Sequence, residues 1–249
     1  MGAGGHGLQM EQEGSAIVFG ASGGVGRALA SRLVAEGAYA QVYAGSRSAS
    51  ADQPHGVVPF TFDLSDEPSI AAAANFDPAP ELVIVATGLL HEAARGIAPE
   101  KSLRALDGAA MAQLFAVNTI GPALIAKHLL PRLPRDRRAV FAVLSARVGS
   151  ITDNRLGGWH AYRASKAALN MLVRNFAIEL ARSHPLAIVV GLHPGTVASA
   201  LSAPFQRGLA PERLFTPEQS AEHLLAVIAG LTPADSGHLF AWDGERLPF

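Results

Sequence analysis

An open, doubly wound α/β sheet with helices on both faces is the fold that this sequence of 249 residues predicts, and three observations carry the prediction. Short apolar runs of strand length alternate with longer segments of helical periodicity, the pattern of a parallel sheet. One of those runs, Leu82-Val83-Ile84-Val85, is apolar without alternation, as a strand covered on both faces must be. A glycine-rich turn, Gly20 to Gly26, joins the first run to the first helical segment. About seven strands are expected, in one domain from residue 15 to residue 249.

With 49% hydrophobic residues and no long charged block, the chain can bury a sizeable core. Its 20 basic and 21 acidic residues leave a net charge of -1, so there is no electrostatic footprint for nucleic acid or for an anionic membrane. The absence of cysteine removes disulfides, thiolate metal sites and Cys nucleophiles together, and it fits a cytoplasmic protein. No metal ligand set is assigned. Residues 1–14, polar and glycine-rich, lack the basic start and apolar core of a signal peptide and read as a disordered leader. His6 stands where a myristoylation signal needs Ser or Thr. No apolar run is expected to reach the roughly 18 to 20 residues of a membrane span without interruption by charge or turn residues.

Taken in order, Ser15 to Gly20 is the first strand, and Val25, Leu29, Leu33 and Val34 fall at helical spacing from Gly24 to Glu36. The turn between them, Gly20-x-x-x-Gly24-x-Gly26, lets backbone N–H groups and a helix N-terminus face a pyrophosphate at close approach. The letters Gly20-Ala21-Ser22-Gly23-Gly24 also fit the nucleophile elbow of an α/β-hydrolase, with Ser22 as nucleophile. That elbow follows several strands, whereas only one strand precedes Ser22, so the hydrolase reading stands behind the nucleotide reading. Gln41 to Gly45 is the second strand. Ser46 and Arg47 follow it, where an acidic residue would select NAD and a small residue with Arg accommodates the 2′-phosphate of NADP. Val57 to Phe62 is the third strand. It ends at Asp63, whose carboxylate either accepts from an adenine amino group or caps the next helix, for which Asp66 is the better candidate.

Ser65 to Ala74 is a short helix, and Glu81 to Ala86 the fourth strand. Leu106 to Leu130 is a long helical run in which Gly121-Pro122 predicts a kink. Asn118 within it is a hydrogen-bonded core residue, the partner of a freed carbonyl, or the holder of a water. Ala139 to Ser145 is the fifth strand, His160 to Ser183 a helix, and Ala187 to Leu192 the sixth strand. His193-Pro194-Gly195-Thr196 then turns the chain over the carboxyl edge of the sheet. Ala198 to Phe215 has the turn residues of a substrate lid, Pro217 to Gly230 is a last helix, and His238 to Trp242 a last strand.

Tyr162 and Lys166, four residues apart, share one helix face. A free phenol has a pKa of about 10, and an adjacent ammonium lowers it. Tyr162 could then exchange a proton with a substrate oxygen. Ser145 hydrogen-bonds the same oxygen if the strand end folds back over this helix. Two helices carry more apolar surface than one sheet face needs: Ala109, Ala112, Phe115 and Ala116 on one, Ala167, Leu169, Leu172 and Phe176 on the other. Packing of these faces in a homodimer or homotetramer is expected, the alternative being a monomer that covers them with its own loops.

The ordered set Gly20-x-x-x-Gly24-x-Gly26, Asp63, Asn118, Ser145, Tyr162-x-x-x-Lys166 and Pro194-Gly195 resembles the short-chain dehydrogenase/reductase family over nearly the whole chain. The segments around Ser145 to Trp159 and Phe215 to Leu225 resemble more narrowly the C-factor and sniffer-like carbonyl reductase branch. The resemblance implies a Rossmann-type fold and reduction of an aldehyde or ketone to an alcohol by hydride from NADP(H), preferred over NAD(H). It makes Tyr162 the acid-base residue and gives Ser145 the carbonyl. Lys166 takes the nicotinamide ribose, Asn118 a relay water, and Thr196, after Pro194 and Gly195, the carboxamide. Ser22, Val25, Leu64 and the Ala86-Thr87-Gly88 turn join the cofactor contacts. Thr87 replaces the family's usual Asn and loses its amide. Ser145 lies 17 residues before Tyr162, so the loop Gly149 to Gly158 must bulge outwards and shape the substrate entrance. A signalling protein that binds NAD(P) with little turnover is the alternative that the C-factor resemblance raises.

Overall fold

Strand residues that are apolar on both sides need a layer of helices on each face, and the computed structural model supplies both. It describes residues 14–48, 54–205 and 214–249. The leader expected over residues 1–14 and the middle of the expected lid lie almost wholly outside these. Parallel strands β1 (Ser15–Phe19), β2 (Gln41–Ser46), β3 (Val58–Thr61), β4 (Pro80–Val85), β5 (Ala139–Leu144) and β6 (Ala187–His193) form the sheet. Two-residue strands β7 (Thr196–Val197) and β8 (Leu214–Phe215) pair with each other, and β9 (Leu239–Ala241) and β10 (Arg246–Leu247) extend the main sheet. The order is β3-β2-β1-β4-β5-β6-β9-β10, eight strands, with β10 antiparallel. The strand order reverses between β1 and β4, which opens a crevice at their carboxyl ends, where such folds bind ligands. Strands of two residues carry no periodicity, which is why β7, β8 and β10 were not legible in the sequence.

The helices are α1 (Gly24–Glu36), α2 (Glu67–Ala72), α3 (Gly108–Phe115), α4 (Gly121–Leu129), α5 (His160–Leu180) and α6 (Pro217–Gly230). Alternate residues of each strand serve opposite layers. Ala16, Val18 and Ile84 pack with Leu29 and Leu33 of α1 and Leu224 and Ile228 of α6. Ile17, Phe19, Val83 and Phe141 pack with Ile125 and Leu129 of α4 and Leu169 and Val173 of α5.

The long apolar run is one helix with a π-helical turn, Ala116–Ile120, between α3 and α4. Pro122 has no N–H for the carbonyl of Asn118, and the helix widens ahead of it, with the Gly121 amide bonding the Ala116 carbonyl. The irregularity therefore lies one turn before the expected kink. By length and composition Gly108–Arg132 qualifies as a membrane span, contrary to the expectation that no run does. In this fold Leu114, Ile125, Ala126 and Leu129 are instead buried within the domain. The expected surplus of apolar surface is also redistributed: Leu169 is 1% exposed in the chain's own core and Phe176 packs against it, while Ile120, Met171 and Ile178 are exposed. Asp66 stands at the N-cap of α2 but makes no capping bond with its side chain.

Candidate active site

The crevice at the switch point holds a cavity of about 590 Å³. Gly20 and Ser22 line it from the turn after β1, Ser46 and Arg47 from the end of β2, Asp63 and Leu64 from the end of β3, and Ala86, Thr87 and Gly88 from the end of β4. The glycines are required by space. Gly20 has φ 90, and a Cβ on Gly26 would stand 2.3 Å from the Gly20 carbonyl oxygen. The Thr87 hydroxyl is buried and has no protein partner, an orphan polar atom at the crevice wall. A backbone cradle, an Arg at the mouth and that hydroxyl fit a dinucleotide. Gly24, Val25 and Gly26 begin α1 and are not in the cavity lining. Pro194, Gly195 and Thr196 are not in this lining either; Ser199 and Pro217, further along the chain, flank Gly24. A shallower depression of about 470 Å³ between α6 and the turn after β9 holds none of the expected residues.

Asp63 turns inward on its own loop: its carboxylate accepts from the Ser65 amide at 2.8 Å and the Ser65 hydroxyl at 2.6 Å. The Ser65 bonds hold it below its ordinary pKa, with a smaller contribution from Arg47. Ser46 is buried and donates to the Ser48 carbonyl at 2.7 Å. The β4–α3 loop adds His91, Glu92 and Arg95 to the cavity wall, with Gln113 of α3. No motif marks these four, and only the tertiary fold brings them here.

Tyr162 and Lys166 are both buried on one face of α5, with the Lys Nζ 6.0 Å from the centre of the phenol ring. That Nζ donates to the Leu144 carbonyl at 2.7 Å, which ties α5 to the end of β5. Burial pushes the Tyr162 hydroxyl up to about 12 and the Lys166 ammonium down to about 7. The expected lowering of the phenol pKa by an adjacent ammonium is not seen here: burial acts on Tyr162, and burial raises it. A buried phenol that keeps its proton is suited to donate it.

Asn118 takes the first of its expected alternatives, a hydrogen-bonded core residue, whereas Ser145 has a protein partner that was not expected. Asn118, fully buried, accepts from the Leu89 amide at 2.8 Å and donates to the Leu89 carbonyl at 2.8 Å and the Ser165 hydroxyl at 3.1 Å. Its side chain joins the cavity wall to the turn of α5 below Tyr162, since Ser165 donates to the Tyr162 carbonyl. The Ser145 hydroxyl donates to Asn170 Oδ1 at 2.6 Å, both residues buried. The residue at the strand end that joins the apolar cluster around Tyr162 is Ala146, with no hydroxyl to offer. Strand alternation turns Ser145 towards α5 one turn beyond Lys166. The loop from Gly149 to Gly158 does lie outside, with Ile151 and Leu156 exposed. His193, on β6 beside this region, is lowered to about 4 by burial and then by Arg147, so it is neutral, and its Nδ1 is buried without a partner.

These features define a nucleotide-dependent redox site on a doubly wound sheet. Residues 15–209 match the family model of the short chain dehydrogenases. The chain is 37% identical over 144 residues, 58% of its length, to 81% of the C-signal of Myxococcus xanthus. Several further curated relatives align over only 54% to 60% of their own length. An NADPH-bound carbonyl reductase from chicken fatty liver superposes with a TM-score of 0.81 at 25% identity, over 96% of this chain and all of that one. The carbonyl reductase Sniffer of D. melanogaster shares the fold, with a TM-score of 0.79 at 19% identity over 96% of this chain and 100% of that one. The chain belongs to the short-chain dehydrogenase/reductase family and is an NAD(P)-dependent oxidoreductase of the kind that includes the carbonyl reductases.

Proposed function

We propose that the protein reduces the carbonyl of a small aldehyde or ketone with NADPH, Tyr162 supplying the proton to the nascent alkoxide. The observation that carries this reading is the buried Tyr162–Lys166 pair on α5, anchored to the end of β5 beside a glycine-cradled crevice. When bound, the reduced nicotinamide supplies the hydride. The chain's own part is to bind, orient and exclude water. Tyr162 holds its proton until charge develops on the substrate oxygen, and Lys166 stands behind it to support the phenolate that results. Asn118 fixes the α5 turn that presents the phenol. Ser46 and Arg47, with no carboxylate following β2, support a choice of NADPH over NADH.

NADPH oxidation across a panel of aldehydes and ketones tests the reading. Tyr162→Phe, which removes only the ionisable oxygen, is expected to lower kcat by on the order of a hundredfold while NADPH affinity barely changes. Retained activity in that variant refutes the assignment. The likeness to the C-signal favours a second reading, a nucleotide-binding signalling protein with little turnover. Tight NADPH binding without reduction of any carbonyl in the panel would select it.

A further inference from the structure

We propose that Trp159 determines substrate specificity: its indole forms the wall against which a flat, apolar group beside the carbonyl lies, so that aromatic carbonyl compounds are preferred to saturated ones of equal size. The proposal rests on the reductase reading above. Trp159 has φ 51 and ψ 43, in the left-handed region, and among the described residues it is the one non-glycine residue at positive φ. Gly157 and Gly158 before it have φ 62 and 65, so three successive residues wind left-handed into the start of α5. Glycine takes this conformation without steric cost; a bulky side chain does not, and it persists only where the surroundings over-determine it. Glu100 does so. Its carbonyl accepts from the Trp159 amide at 2.6 Å, and both oxygens of its buried carboxylate accept from the Ala161 amide at 3.3 Å.

The strained backbone delivers the indole to Tyr162. The two ring centres are 6.3 Å apart with planes at 71°, an edge-to-face pair. Leu90, Ile97, Leu114 and Ala146 complete an apolar cluster around the phenol. Trp159 itself remains only half-buried. A tryptophan needed merely to fill a core would not require a left-handed backbone, and this one meets the ring of the proposed proton donor without being fully enclosed. A planar group carried by the carbonyl carbon meets an aromatic surface there, and a puckered saturated ring of the same size cannot pack on it as closely.

The test compares benzaldehyde with cyclohexanecarbaldehyde, with NADPH, in the wild type and in Trp159→Ala, Trp159→Gly and Trp159→Phe. The wild type is expected to favour the aromatic aldehyde in kcat/KM by about tenfold. Trp159→Ala and Trp159→Gly bring the two substrates near parity, chiefly through KM, and leave NADPH affinity unchanged. Trp159→Phe retains most of the preference. Because glycine tolerates positive φ, Trp159→Gly melts no lower than Trp159→Ala, which separates recognition from folding. Equal kcat/KM for the two aldehydes in the wild type, or equal losses for both in Trp159→Ala, overturns the proposal and leaves the reductase reading standing. Reduction of neither aldehyde by the wild type also overturns the proposal, while the reductase reading is decided separately by the full panel of aldehydes and ketones.

Discussion

Replacing Ser145 by Ala distinguishes a hydroxyl that serves the fold from one that serves the substrate. In the structure this hydroxyl donates to Asn170 Oδ1 at 2.6 Å, and the Asn170 amide nitrogen is already buried without a partner. Removing the donor leaves the Asn170 side chain with neither end paired inside the protein. A buried acceptor stripped of its bond costs about 1 to 3 kcal/mol. In a domain of this length each kcal/mol moves the melting temperature by about 2 to 4 °C, so a drop of roughly 2 to 12 °C is expected. Catalysis should suffer little: kcat/KM is expected to fall by less than about tenfold, since the phenol and the Lys166–Leu144 bond remain in place. Thermal unfolding read beside steady-state NADPH oxidation measures both quantities on one preparation. The double variant Ser145→Ala with Asn170→Ala should lose less stability than the sum of the single losses, because the two share one bond. A hundredfold loss of kcat with an unchanged melting temperature would refute the reasoning and return the hydroxyl to the substrate oxygen.

Lys166 carries a pH signature. Its folded pKa of about 7 lies below the ordinary 10.5, so between these values the unfolded chain binds more protons and stability rises with pH. Lys166→Met should therefore be more stable than the wild type at pH 7, by up to a few kcal/mol, and the gap should close towards pH 10 in urea titrations; a pH-independent gap would count against a neutralised buried lysine. Arg47→Ala should raise the KM for NADPH by about ten- to a hundredfold through loss of one charge-assisted bond and leave the KM for NADH unchanged, whereas equal effects on both would show that Arg47 faces solvent. Exposed Ile120 of the π-helical turn and Met171 and Ile178 of α5 are expected to meet a second copy, giving a dimeric mass by light scattering at micromolar concentration; a monomeric mass refutes this.

What the sequence determined by itself is the part of the protein written in local chemistry. The alternation of apolar strands with amphipathic helices specified a parallel, doubly wound sheet, because each pattern is buried by only one kind of neighbour. The glycine turn at Gly20 was legible because the chain must bend there within a few residues of its first strand. The Tyr162–Lys166 pair was legible because helical spacing alone sets both on one face. Tertiary packing decided the rest. The direction of the Ser145 hydroxyl depends on which neighbour, Asn170 or the crevice, lies over that face of β5. The role of Asn118 depends on Leu89 and Ser165, 29 and 47 residues away, and no local pattern encodes them. The same holds for the sign of the Tyr162 shift. Spacing predicted a neighbouring charge and hence a lower pKa, but only the folded chain reveals that both groups are out of water, where desolvation raises the phenol and lowers the ammonium. Composition and periodicity report what a residue requires of its surroundings; they do not report which distant atoms meet the requirement, and those atoms set the chemistry of the site.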